Sequence, residues 1–532
     1  MSKLNIIILL FLGLILSACG GGSSVEVEPV ASDDWASGVF KPDSTFKNKC
    51  ESPRSDIAGG IQFSDIQGAE LDEKNWLRSW TNDVYLWYDE VTDQDPELFN
   101  GNVSDYFKTL KTFATTSSGK AKDNFHFIQN TEEFTQESQG GVSFGYGIKF
   151  DFKTAVLGRT PRNFAVAYTQ PNSSADGEIF RGSKIIEVDG LDFINGVATP
   201  VEIAIVNEAL FPTIAGISHT FRVLDSGATQ SRVITLTSGL VTSVPVQNVK
   251  VFDTDSGKVG YFQFNEFIGT APEQLVDAVI TLKNAKVNDL VLDLRYNGGG
   301  AVFVAQLLSS MIADTEISKG KVFNRVQFNN KHQAIDPFTR QSLDPNLFTL
   351  KVSDYGVDSN ETLPNLGLNR VYVLTSSSTC SASELVINSL RGVGVEVILM
   401  GDRTCGKPYG FYPTDNCATT YFSIHFSASN AQGFGAYPEG FIPVNSNDVE
   451  GIRLSGCAVD DDLNHPLGSI DEAQLSAALN YRSTGNCPTP PVFKQNRSNE
   501  KSQSQTILFE SIQASQWQNN MIIGQPPKNL FK

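Results

Sequence analysis

Apolar positions along the chain change period twice, and the changes divide it. In NWLRSWTNDVYLWYDEV (75–91), Trp76, Trp80, Val84, Trp87 and Tyr88 recur mostly every three or four residues, which predicts an amphipathic helix whose aromatic stripe packs into a core. With FNGNVSDYFKTLKTF following, residues 46–139 read as a small, mostly helical cap. At Gly140 the period drops to two: GGVSFGYGIKFDF predicts a strand entered through glycines. FAVAYTQPNSSADGEIFRGSKIIEVDG (164–190) predicts strand, Pro-containing turn, short helix, Arg-Gly turn and strand. From about residue 245 strands and helices alternate. GKVGYFQFNEF, DLVLDLRYNGGG, RVYVLTS and VEVILMG are strands, and PEQLVDAVITLKNA, AVFVAQLLSSMIA and ASELVINSLRGVG are helices. Such alternation builds a mostly parallel α/β core, residues 245–490, with functional residues at the carboxyl ends of its strands.

At 532 residues the chain exceeds one hydrophobic core, and 40% apolar content suffices for several. The net charge of −18 excludes an electrostatic footprint for nucleic acid. MSKLNIIILLFLGLILSAC carries Lys3 and then an apolar run from Ile6 to Leu16, too short to span a bilayer but suited to a signal peptide, residues 1–18. Its end, LSAC before GGGSS, resembles a bacterial lipobox, which implies lipidation at Cys19. Gly20, where inner-membrane lipoproteins carry aspartate, implies the outer membrane. Residues 19–45, rich in Gly, Ser and acid, read as a flexible tether, and 491–532 as a polar tail without assigned function.

Removing Cys19 leaves Cys50, Cys380, Cys405, Cys417, Cys457 and Cys487, which in an exported protein read as up to three disulfides. No CxxC or CxxH spacing indicates zinc, no HExxH is present, and no metal or other cofactor is expected. The acidic run 460–462 lacks EF-hand spacing and reads as a solvated turn.

Residues 140–244 resemble a PDZ domain. Gly182-Ser183-Lys184-Ile185-Ile186-Glu187-Val188-Asp189-Gly190 matches its closing signature, with Ser183 where aspartate is usual. The resemblance puts Phe144, Gly145, Tyr146 and Gly147 in a loop that binds a peptide C-terminus, and makes the next strand a site of β-augmentation.

Amide cleavage needs a nucleophile, a base and donors for the oxyanion. Ser381, in TCSASE (379–384), stands at a strand-to-helix junction whose free N–H groups favour developing negative charge. The N–H of Ala382 is the first candidate donor, and the NGGG run (297–300) offers Gly299 or Gly298 as the second. Lys407, in the otherwise uncharged TCGKPYGFYP, serves as a base if burial lowers its pKa. Ser381 alone reads as a helix cap, and Glu384 completes a capping-box pattern; Lys407 and the glycines reverse that reading. Cys380 and Cys405 flank these two residues, so a Cys380–Cys405 bridge is expected if the side chains meet.

Taken together and in chain order over roughly residues 75–490, the PDZ-like segment, LDLRYNGGG, STCSASE and GDRTCGKP resemble the S41 family of C-terminal processing peptidases. The resemblance implies a crotonase- or ClpP-like α/β core, and a Ser381–Lys407 dyad with Ala382, Gly298 and Gly299 as oxyanion hole. It also implies extended or unfolded protein substrates. Phe411 stands where many members carry a glutamine that orients the lysine, so a peptide-binding scaffold without catalysis is the second reading. Some relatives use a cap histidine as base. With Lys407 at the matching site, His126 reads as structural and His425 as a packed sheet residue. The sequence leaves oligomeric state open.

Overall fold

The central sheet has six strands in the order Val246–Thr254, Gly257–Phe264, Asp289–Asp293, Arg370–Thr375, Glu396–Gly401 and Gly456–Ala458. Only the first pair is antiparallel. The computed structural model describes residues 35–55, 62–151, 164–196, 199–355, 360–488 and 522–523. Cys19, the signal segment and nearly all of the tail therefore lie outside the described residues.

Helices Ala271–Ala285, Val302–Ile312 and Ala382–Gly392 provide the crossovers that parallel strands require. Because successive side chains on a strand point to opposite faces, each strand feeds two cores. Phe262, Leu290, Leu292, Val373 and Leu399 pack with the three crossover helices. Their neighbours Tyr261, Val291, Tyr372, Leu374 and Met400 pack with Leu475 and Ala478 on helix Ala473–Thr484. Burial on both faces explains why Asp289–Asp293 reads as a continuous rather than an alternating run.

Residues 142–242 form a β-rich unit with its own core around Phe150, Phe164, Val166 and Phe221. Its sheet runs Arg232–Thr237, Ser218–Leu224, Lys184–Val188, Ala165–Thr169 and Ile148–Asp151, leaving Ile148–Asp151 on the edge. Helix Pro200–Leu210 packs on this unit, started by a Thr199–Glu202 capping box. The single strand expected after Gly140 is two: Val142–Gly145 pairs with Gly239–Thr242, and the chain turns at Gly147 (φ 79°) into Ile148–Asp151. Turns replace the short helix expected between the next two strands.

The cap helix is Glu70–Val84, ending well before residue 91. Tertiary contacts override the period there: the Leu86 N–H donates to the Ile424 carbonyl (2.8 Å), and Trp87 packs edge-on against Tyr409 (4.8 Å). The aromatic stripe is core, as expected. Trp76 stacks on Trp80 (5.3 Å) and meets Tyr421 (5.2 Å). Strand Phe127–Asn130 pairs with Thr419–Phe422, and a Cys50–Cys417 disulfide fastens the cap to the same region.

A buried ionic cluster joins the β-rich unit to the core. Arg295, fully buried, donates to Asp293, to Glu472 (2.6 Å) and to Asp461 (2.8 Å), and Arg181 from the β-rich unit reaches Asp461 (2.6 Å) and the Tyr296 hydroxyl (2.6 Å). This corrects the reading of 460–462 as a solvated turn at Asp461, while Asp460 is exposed. Asp461 is a nearly buried carboxylate, held between the guanidinium groups of Arg295 and Arg181. The tail is also not featureless: Ile522–Ile523 pairs in parallel with Gly300–Ala301.

Trp76→Ala should lower stability by about 3–5 kcal/mol through loss of buried aromatic area. Urea unfolding reads this directly, and an unchanged midpoint would show that the cap does not unfold with the core.

Candidate active site

Strand Arg370–Thr375 ends in a turn that delivers Ser381 to the start of helix Ala382–Gly392. Ser381 is fully buried and held at φ 60°, ψ −112°, a backbone conformation that costs a non-glycine residue about 1–3 kcal/mol and persists only when surroundings enforce it. A capping serine would bond its hydroxyl to a first-turn N–H. Here Ser381 Oγ has no hydrogen-bond partner among the described residues. Only the reverse half of the capping box forms, with Glu384 Oε2 accepting the Ser381 N–H at 3.0 Å.

That carboxylate does more than cap. Glu384 also accepts the N–H of Lys407 (2.8 Å), the N–H of Gly406 (2.8 Å) and the Thr404 hydroxyl (2.5 Å). Because Ser381 and Lys407 bond the same oxygen, their backbone nitrogens lie less than about 6 Å apart. Burial pushes the Glu384 pKa up, while the hydrogen bonds from Thr404 and from the N–H groups of Lys407, Gly406 and Ser381 pull it back. Cys380 and Cys405 are bridged, as expected, with Cα atoms 5.1 Å apart. The remaining pair is Cys457–Cys487. Joined to each other beside Glu384, the two sulfurs of Cys380 and Cys405 offer no thiolate to a metal.

Lys407 is fully buried, with Nζ 4.1 Å from the Phe411 ring centroid and 4.7 Å from that of Phe125. Removal from water holds the amine well below the usual lysine value, and the carboxylates of Asp123 and Glu384 offset part of that shift. The two ring faces also favour the charged form, so they act with the carboxylates and against burial. Phe411 is thus not a vacant substitute for glutamine: it forms one wall of the amine's compartment.

The glycine segment is fixed by Asn297. Its carbonyl accepts the Cys380 N–H (3.1 Å) and the Ser383 hydroxyl (3.0 Å), and its amide donates to the Phe264 carbonyl (2.9 Å). Asn297 Oδ1 also accepts the Gly299 N–H at 2.9 Å. The Gly299 donor is therefore occupied, which leaves Gly298 as the better of the two candidates beside Ala382. Neither Glu384 nor Asn297 was recognised in these roles from the sequence. The signal for Glu384 was its place three residues after Ser381, read only as capping.

His126 is buried, bonds the Phe107 carbonyl (2.9 Å) and stacks on Phe107. Burial lowers its pKa to about 4. His425 is buried between Trp80 and Phe338 and accepts the Tyr412 N–H (3.0 Å). Of the four candidate peptide-loop residues, Phe144 and Gly145 lie instead in a strand already paired with Gly239 and Leu240. Only Tyr146 and Gly147 form the turn, where a Cβ on Gly147 would sit 2.4 Å from Ser173.

Residues 258–411 match the family model of peptidase family S41, a span that contains Asn297–Gly300, Ser381 and Lys407. This segment is similar to peptidase family S41. A carboxyl-terminal-processing protease from Picosynechococcus sp. is 24% identical over 176 residues, 33% of this chain. That alignment spans about a third of the curated relative's length (35%). A solved structure of a Bacteroides fragilis protein assigned to the S41 proteases aligns over 80% of this chain and 99% of its own. Its TM-score is 0.54 at 23% identity, and it shares the fold of an α/β core with a β-rich domain. A photosystem II D1 C-terminal processing protease aligns over 73% of this chain and 93% of its own, at 18% identity and a TM-score of 0.43.

Because the folded-state pKa of Lys407 is depressed, the unfolded chain binds more protons between that value and the ordinary lysine value, and this residue's contribution to stability rises with pH across that window. Lys407→Met should therefore stabilise the protein at neutral pH, with the difference from wild type shrinking toward pH ~10.5. Denaturant titrations at several pH values test this, and a difference that is flat or grows with pH would contradict it.

Proposed function

We propose that the protein is a serine endopeptidase of the bacterial cell envelope that cleaves extended proteins near their C-termini through Ser381 and Lys407. The observation that carries this reading is a strained, buried Ser381 with an unbonded hydroxyl, tied through one carboxylate oxygen to a desolvated Lys407. Ser381 Oγ attacks the scissile carbonyl carbon as its proton passes to the neutral Lys407 amine. The N–H groups of Ala382 and Gly298 hold the oxyanion. Collapse breaks the C–N bond, Lys407 returns the proton to the leaving amine, and water, with Lys407 again as base, hydrolyses the ester.

Substrate chains are received by the β-rich unit, where edge strand Ile148–Asp151 would take an added strand in the PDZ manner. A lipid on Cys19 and the 19–45 tether hold the enzyme at the outer membrane. The one observation favouring a scaffold that binds without cutting is the Phe411 ring in place of an orienting amide.

Incubation with unfolded casein separates the two readings. Wild type should cleave with a rate that rises with pH through the depressed lysine pKa. Ser381→Ala and Lys407→Ala should each lose roughly 10³-fold or more in kcat, since nucleophile and base act as a unit. Near-wild-type cleavage by Ser381→Ala would sink the mechanism, and no cleavage by wild type at any pH would favour the scaffold.

A further inference from the structure

Strand Ile522–Ile523 comes from the tail, yet it pairs in parallel with Gly300–Ala301, Gly300 opposite Ile522 and Ala301 opposite Ile523. It also lies against Tyr409–Gly410. Both neighbours belong to the candidate site: Gly300 directly follows the glycines that offer the oxyanion donor, and Tyr409 is two residues beyond Lys407. The other side of the Gly300 segment is already paired, since the Ala301 N–H donates to the Phe267 carbonyl (2.8 Å) and the Phe267 N–H to the Gly299 carbonyl (3.1 Å). A Cβ on Gly300 (φ 137°) would stand 2.3 Å from the Phe267 oxygen, so only glycine permits this approach. What remains open is one edge, suited to an extended peptide read through its main chain.

The tail supplies such a peptide. In QNNMIIGQPP (518–527) a short apolar, β-branched run stands in a polar stretch and is followed by a Pro-Pro pair that cannot continue a strand. About thirty residues separate it from the last described residues of the core, and a random coil of that length has a mean reach of roughly 30 Å. Tethering on that scale gives an effective concentration near ~1 mM.

We infer that this chain's own tail, through Ile522–Ile523, is an intramolecular ligand of the peptide groove and competes there with extended protein substrates. The word competes rests on the peptidase reading; the docking does not. Two readouts keep them apart. A labelled peptide spanning 516–528 is titrated by fluorescence anisotropy into full-length Ser381→Ala, and into full-length Ser381→Ala carrying Ile522→Pro and Ile523→Pro, prolines that remove the strand's N–H donors. Binding should be ~10-fold tighter to the proline-bearing chain, whose groove is vacated. In the Ser381 background, Ile522→Pro with Ile523→Pro should lower KM for casein several-fold and leave kcat unchanged. Equal peptide affinity for the two chains, or none for either, overturns the inference. Differential binding without casein turnover in any chain sustains the docking and removes the peptidase reading instead.

Discussion

One carboxylate organises this site. Glu384 sits on the first turn of the Ser381 helix, buried, and gathers the backbone of Ser381, Gly406 and Lys407 together with the Thr404 hydroxyl. A buried charge is tolerable only when its lone pairs are filled, and here four donors fill them. The consequence is geometric. The loop carrying Lys407 has no secondary structure of its own to hold it, yet it is fixed against the helix that carries Ser381. The Cys380–Cys405 bridge repeats the tie covalently. Capping by Glu384 also frees the Ser381 hydroxyl from the duty a serine at that position usually performs.

Around this tie, the fold excludes water from the amine. Phe125 comes from the cap and Phe411 from the core, so the compartment of Lys407 closes only when cap and core are joined. That gives a function to the otherwise elaborate attachment of the cap: the 127–130 strand pairing, the Trp76–Tyr421 contact and the Cys50–Cys417 bridge. On the opposite side, the Arg295 cluster fixes the strand end that leads into Asn297, and Asn297 in turn holds the glycines against the Ser381 turn.

Much of this was legible in the sequence because period and glycine placement act locally. The core strands and helices fall where the apolar pattern put them, and Ser381 and Lys407 stand at the expected strand ends. The misses are tertiary. The cap helix stops at Val84 because Leu86 finds a backbone partner in Ile424, which no local pattern announces. Asp461 looked solvated because its partner Arg295 lies 166 residues away. Phe144 and Gly145 were placed in a loop, although Gly239 and Leu240 draw them into a strand. Gly299 and Gly298 were indistinguishable until the side chain of Asn297 took one of their N–H groups.

The account turns on the charge state of one amine. Direct NMR titration of the Lys407 side chain in lysine-labelled protein, assigned by its absence in Lys407→Met, measures that state without reference to turnover. A resonance that titrates well below the ordinary lysine value supports a neutral base beside Ser381; one that stays protonated up to pH ~10 contradicts it.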